Sequence, residues 1–197
     1  MALDLIYDRT DADADRWLYL SEKMDSEGFE ALTVEEQTEW LTDLKGGYNY
    51  SDLNRVGGAV SYLASRFRAF IPDLAAYVAA YGVADDPLFH LPYTLADVTV
   101  SPKTNWSLGD YMRPNQAAQY LLNLTVLRGL LPMPSGTPPV PADMVDLAVW
   151  EANDIERLLD MIDDEITRVT AMMEKWVRDT AAAWYFSGDP YSSEVNA

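Results

Sequence analysis

From residue 148 to residue 183 one apolar or small side chain recurs every three or four positions: Ala148, Ala152, Ile155, Leu159, Ile162, Ile166, Val169, Met173, Trp176, Thr180 and Ala183. Steps of four and three alternate, a heptad rhythm that keeps one seam on one face of a helix for about five heptads. At ~1.5 Å per residue the helix is roughly 55 Å long, about three times the mean in globular proteins. A seam of that length has to be covered, by helices of the same chain or by copies of itself. The residues expected at such an interface are Ile155, Leu159, Ile162, Ile166, Val169, Met173 and Trp176, with the aromatic cluster Trp184, Tyr185 and Phe186 as anchors beyond them.

The second long apolar pattern starts near Ser51 or Asp52 and runs Leu53, Val56, Val60, Leu63, Phe67, Phe70. Pro72 is expected to kink or restart it, because proline removes one helical hydrogen bond and crowds the preceding turn. The rhythm resumes at Leu74, Tyr77 and Tyr81, ahead of Gly82. With its only long internal partner interrupted, the C-terminal seam points toward a homo-oligomer or another protein.

Shorter helices precede these. Thr10 and Asp13 mark a helix start, followed by Trp17, Leu20 and Met24 on one face and a stop at Gly28. Thr33-Val-Glu-Glu36 has the capping-box spacing and opens a helix carrying Trp40, Leu41 and Leu44, ended by Gly46-Gly47. Residues 115–131 are apolar nearly all round, the pattern of a buried central helix. Between 82 and 106, Asp85-Asp86-Pro87, Pro92 and Pro102 break helical periodicity, and Leu95, Val98 and Val100 alternate weakly as a short strand would. Ser107 to Asp110 reads as a further helix start. Five prolines within 132–141 make an extended linker.

The expected fold is therefore all-α: a helical domain over 1–131 with an irregular or β insertion at 82–106, a Pro-rich linker at 132–143, a long helix at 144–186 and a polar tail at 187–197.

Composition bounds the chemistry. The chain has no cysteine, which excludes disulfides, thiol nucleophiles and Cys-ligated metal. Its single histidine, His90, lies in the hydrophobic loop Pro87-Leu-Phe-His-Leu-Pro92 and reads as a packed loop residue. No glycine-rich phosphate loop, nucleophile elbow or metalloprotease motif is present. Asp11, Asp13 and Asp15 with Glu22 have calcium-loop spacing, but Arg16 stands where the sharp turn needs glycine. Carboxylate pairs such as Asp163/Asp164 are what chance provides among 32 acidic residues. No catalytic residue, metal site, cofactor or small-molecule substrate is inferred.

The formal net charge is −18, and it sits at the ends. Residues 1–46 hold 13 acids and 4 bases, 47–141 hold 6 of each, and 142–197 again hold 13 and 4. Such a chain lacks the Lys/Arg that a nucleic-acid grip requires. There is no basic, apolar leader at the start and no apolar run of membrane-spanning length, so the expectation is a soluble protein made in a cytoplasm. Asp-x-x-Arg spacing recurs, at Asp52–Arg55 and Asp154–Arg157, where a helix brings the two side chains together.

Two segments carry a resemblance. Tyr48-Asn-Tyr-Ser-Asp-Leu-Asn-Arg-Val56 resembles a helix start found in tail-fibre and baseplate proteins of bacteriophages and prophages of Firmicutes. Lys103-Thr-Asn-Trp-Ser-Leu-Gly-Asp110, followed by Tyr120-Leu-Leu-Asn-Leu124, resembles a Trp-to-Asp segment that accompanies it there. Leu5-Ile-Tyr-Asp-Arg-Thr10, Thr33 to Trp40 and Ala183 to Asp189 agree with it. The resemblance implies a non-enzymatic virion protein of the tail, baseplate or fibre attachment, made in the host cytoplasm. Its partners would be copies of itself or other virion proteins, with neither nucleic acid nor membrane bound. The competing expectation, from charge alone, is an acidic DNA mimic that inhibits a basic nucleic-acid-binding protein.

Overall fold

A computed structural model describes residues 3–42, 44–83 and 94–186, with side chains as far as residue 179. His90 and the Asp85/Asp86 pair lie outside the described residues, as does the tail from Ser187. The described chain is all-helical: five α-helices, two short 3-10 turns and no strand.

Local side-chain chemistry starts three of the helices. The Thr10 hydroxyl accepts from the Asp13 N–H (3.3 Å) and the Asp13 carboxylate from the Thr10 N–H (2.7 Å), opening α1 (Asp11–Glu27). Thr33 and Glu36 make the same reciprocal pair at 3.2 and 2.9 Å and open α2 (Val34–Thr42). At the next start Asn49 accepts from the Ser51 N–H (2.8 Å) and Asp52 from the Asn49 N–H (2.9 Å). That pair opens α3 (Tyr50–Tyr81), which ends on Gly82 in the left-handed conformation (φ 67°). Each box satisfies amides that a helix end leaves orphaned.

Pro72 does not restart the helix, the second of the two outcomes expected of it; 32 residues form one helix with the proline inside. The proline is solvent-exposed, and so is Arg68, the residue whose carbonyl it deprives of a partner. The buried neighbours Phe70, Ile71 and Leu74 hold both sides of it in the core.

Of the irregular or β segment expected at 82–106, the part around Leu95–Val100 takes the irregular alternative: a 3-10 turn, Leu95–Asp97, closed by the Asp97 carboxylate on the Thr94 N–H (2.6 Å). Beyond it, side chains and not a neighbouring strand satisfy the extended backbone. Arg68 donates to the Val98 carbonyl (3.3 Å) and the Ser101 N–H donates to Asn123 (2.9 Å). Residues 107–110 form a turn, with the Ser107 N–H on Asp110 (3.0 Å), and start no helix. α4 begins later, at Pro114, and runs to Gly129. Proline suits a first helical turn, where its missing N–H costs nothing. Nor is α4 buried all round: Leu124 and Leu127 are core residues while Leu122 is 50% exposed.

The 132–141 segment is non-helical and lies against the bundle, where Arg128 donates to the Pro138 carbonyl (3.2 Å). It leads to α5 (Val149–Phe186), 38 residues long. α3, α4 and α5 pack on one another and build the core. Contacts along α3 and α5 ascend together, from Arg55–Glu156 through Arg66–Asp163 to Tyr77–Trp176, so the two helices run parallel. The chain must therefore return the length of α3 between them. α1 and α2 form a separate arm, tied to each other by Arg16–Glu39 (2.6 Å) and Lys23–Glu36 (2.7 Å). Of its apolar residues only Leu20 and Leu32 are in the buried class.

Candidate functional site

The feature with the most concentrated chemistry lies where the N-terminal segment crosses the first turns of α3 and α5. Arg9 reaches inward and donates from Nη2 to Asp52 (2.7 Å) and to Glu156 (2.8 Å). Its Nη1 donates to the Ile6 carbonyl. Arg55, one helical turn along from Asp52, donates to both Glu156 oxygens (2.9 and 2.7 Å) and pairs with Asp52. The Ile6 N–H completes the Glu156 carboxylate at 2.6 Å. Asn153 then fixes the Arg9 backbone from both sides, accepting its N–H (3.1 Å) and donating to its carbonyl (2.8 Å).

Two cations and two anions are thus enclosed with no net charge, and Glu156 is 0% exposed. Burial by itself would lower the Arg55 pKa, but hydrogen bonds and charge from Glu156, then Asp52, outweigh it and hold the guanidinium above its ordinary value. Beside the cluster the Tyr48 and Tyr120 hydroxyls share a 2.5 Å hydrogen bond. Burial raises both phenols, so they stay protonated. The Arg9 guanidinium lies 5.5 Å from the Tyr48 ring centroid. Such a cluster holds three chain segments in one geometry; a lone member left inside would be a buried unpaired charge.

A second junction lies next to it. Asn54 clamps the Trp106 backbone, donating to its carbonyl (2.9 Å) and accepting its N–H (2.8 Å). The Lys103 ammonium sits 3.6 Å from the Trp106 ring centroid and 3.3 Å from Asp110. Gly57 permits this approach, because a Cβ there would overlap the Lys103 carbonyl.

The two segments that carry the sequence resemblance therefore meet through Asn54 and Trp106. Nearly every residue of the first holds the fold together. Asn49 and Asp52 cap, Leu53 and Val56 are core, Asn54 clamps, and Arg55 joins the ion cluster. The Asp52–Arg55 spacing is visible in the sequence. Arg9, Asn153 and Glu156 carry no such signal, since they arrive from elements more than a hundred residues apart. In the related stretch Asp154–Leu158 it is Glu156 that turns inward, while Arg157 is exposed.

The expected interface residues divide. Ile155, Leu159, Ile162, Ile166 and Val169 are buried in the chain's own core against α3 and α4. Met173 packs partly on that core. Trp176, 37% exposed, stacks edge-on against Tyr81 (4.8 Å) and Tyr77 (5.9 Å). Trp184, Tyr185 and Phe186 continue the α5 backbone, and their side chains lie outside the described residues.

Asp11, Asp13 and Asp15 are helical, with Asp13 taken up by the Thr10 cap. Among the described residues no group of three or more metal-ligating side chains converges, and no helix is long and apolar enough to cross a membrane. No protein-family model, curated protein or solved structure matches the chain.

Proposed function

We propose that this chain is a non-enzymatic assembly module of a phage virion, acting in the tail, baseplate or fibre attachment. The observation that carries the reading is the use made of the residues behind the resemblance. Arg9, Asp52, Asn54, Arg55 and Trp106 are consumed in locking the N-terminal segment, the helices and the 101–110 segment into one body. That suits a building block whose surfaces must be presented in fixed register. On this reading two exposed surfaces would meet neighbours. One is the distal part of α5, where Trp176 and Val177 are each more than a third exposed. The other is the α1–α2 arm, with Leu18, Tyr19 and Leu41 exposed among many carboxylates.

The test is the protein inventory of purified particles from a host carrying the gene. The chain should be present at a fixed stoichiometry, and the purified protein should bind at least one other virion component. Its absence from intact particles would sink the reading.

The acidic DNA-mimic reading draws on the arm, whose residues 10–42 hold ten acids and two bases. Several carboxylates are already paired within the chain, including Asp8, Glu36, Glu39 and Asp163, and the middle of the chain is neutral. Salt-sensitive displacement of DNA from a basic protein would favour this alternative.

A further inference from the structure

A cavity of about 80 Å³ lies between α3, α4 and the 101–106 segment. Gly57 and Val60 contribute its apolar side, and Trp106 is part of its lining. Trp106 is only 5% exposed, and its indole N–H is buried with no hydrogen-bond partner among the described residues. A buried donor left unmatched is costly, because it has given up water without gaining a partner. The indole face is already occupied by the Lys103 ammonium, which leaves the N–H edge as the group the indole can offer a ligand.

α4 supplies the complement. Gln116, Gln119 and Asn123 stand on one helix face and all line the cavity. Gln116 accepts the Arg113 N–H (2.9 Å), and Asn123 accepts from Ser101 and from the Gln119 amide (both 2.9 Å). One Gln119 N–H is used on Asn123, while its carbonyl oxygen can accept. The cavity is therefore lined by an acceptor, the Gln119 oxygen, and by donors, the Trp106 indole N–H and the amide nitrogen of Gln116, and its lining cation, Lys103, is engaged by Trp106 and Asp110.

Few groups fit that description. A carboxylate would need a cation that is not otherwise paired, in a chain of net charge −18. Waters can pair with the polar side of the cavity, but they leave its carbon side at Gly57 and Val60 without a matching contact. A planar amide with one methyl has a carbonyl for the indole N–H, an N–H for Gln119, and carbon for Val60 and Gly57. We infer that this cavity is a binding site for an acetamide-sized amide, such as the N-acetyl group of a small molecule. The inference stands apart from the assembly role proposed above.

Nitrogen-15 NMR of the full chain reads the site directly, with the Trp106 indole resonance assigned by its loss in Trp106→Phe. Acetamide should shift that resonance saturably in the millimolar range. N-acetylglucosamine against glucosamine distinguishes an acetylated sugar from a free small amide as the source. A shift from the acetylated sugar alone or from acetamide alone supports the site and names its source. Gln119→Leu, which keeps the indole reporter, should weaken the response about tenfold, the loss of one neutral hydrogen bond. No saturable shift from either amide at 100 mM (roughly the weakest affinity worth the name of a site), or an equal response to acetate, overturns the inference.

Discussion

Glu156 is the fully buried anion of the ion cluster. It accepts from Arg9, Arg55 and the Ile6 backbone with no water-exposed surface of its own. Glu156→Gln keeps the shape and removes the charge, leaving two buried guanidinium groups with Asp52 alone. The expected cost is about 3–5 kcal/mol, read from urea unfolding. Lys175→Ala, at an exposed α5 pair with Asp179, should cost less than about 1 kcal/mol. Two adjacent glycines in α3 make a sharper contrast. A methyl at Gly58 meets nothing within 4 Å, so Gly58→Ala should add up to about 1 kcal/mol from helix propensity. The same change at Gly57 drives Cβ into the Lys103 carbonyl, which is backbone and cannot swing aside. Gly57→Ala should therefore destabilise, and should displace the Trp106 indole signal where Gly58→Ala does not.

At the scale of elements, α3 shows that a helix tolerates an interior proline on its exposed face when the flanking turns are clamped by the core. Pro72→Ala restores the missing bond on an exposed face. It should raise stability by about 1–3 kcal/mol, partly offset by the more flexible unfolded chain. The α1–α2 arm responds to pH. Asp13 is held below the usual carboxylate range by the Thr10 hydroxyl and N–H. Glu36 is lowered by Lys23 and the Thr33 N–H, and Glu39 by Arg16. Depressed folded-state values mean that this stabilisation is complete above the unfolded values near pH 4 and is lost as pH falls through the folded ones. At 0.15 M salt, where repulsion among the arm's carboxylates is screened beyond about 8 Å, the arm should loosen below about pH 4. Faster amide exchange at Thr10, Asp13, Thr33 and Glu36, ahead of any change in α3, would show it.

For the whole molecule, the uneven distribution of buried apolar side chains sets a hierarchy of opening. Val56, Leu63, Phe67, Ile155, Leu158, Leu159 and Ile162 are each fully buried where α3 and α5 meet. Their amides should exchange only through global unfolding. Those of α1 and α2 should exchange through local opening at a far lower free energy. Hydrogen exchange by mass spectrometry separates the two regimes, and equal protection of arm and bundle would contradict this division. The parallel course of α3 and α5 has a further consequence. Their ion cluster at one end and the Tyr77–Tyr81–Trp176 aromatic group at the other pin both ends of the pair.

What could be read from the residues in order was what acts over three or four positions. The capping boxes at Thr10 and Thr33, the Asp52–Arg55 pair, the core face of α3 and the long heptad seam follow from spacing alone, because a helix brings those positions together wherever it lies. The tertiary structure decided what covers the seam from Ile155 to Val169: the chain's own α3 and α4, with α3 continuous through Pro72. It decided that Leu95–Asp97 turns on its own backbone, with Arg68 on the Val98 carbonyl and Asn123 on the Ser101 N–H, and that no strand forms there. It also decided that Arg9, Asp52, Asn153 and Glu156 meet. A hydrogen bond across 147 positions leaves no periodic trace in a sequence; its partners are chosen only when distant elements pack and a buried charge must find its opposite.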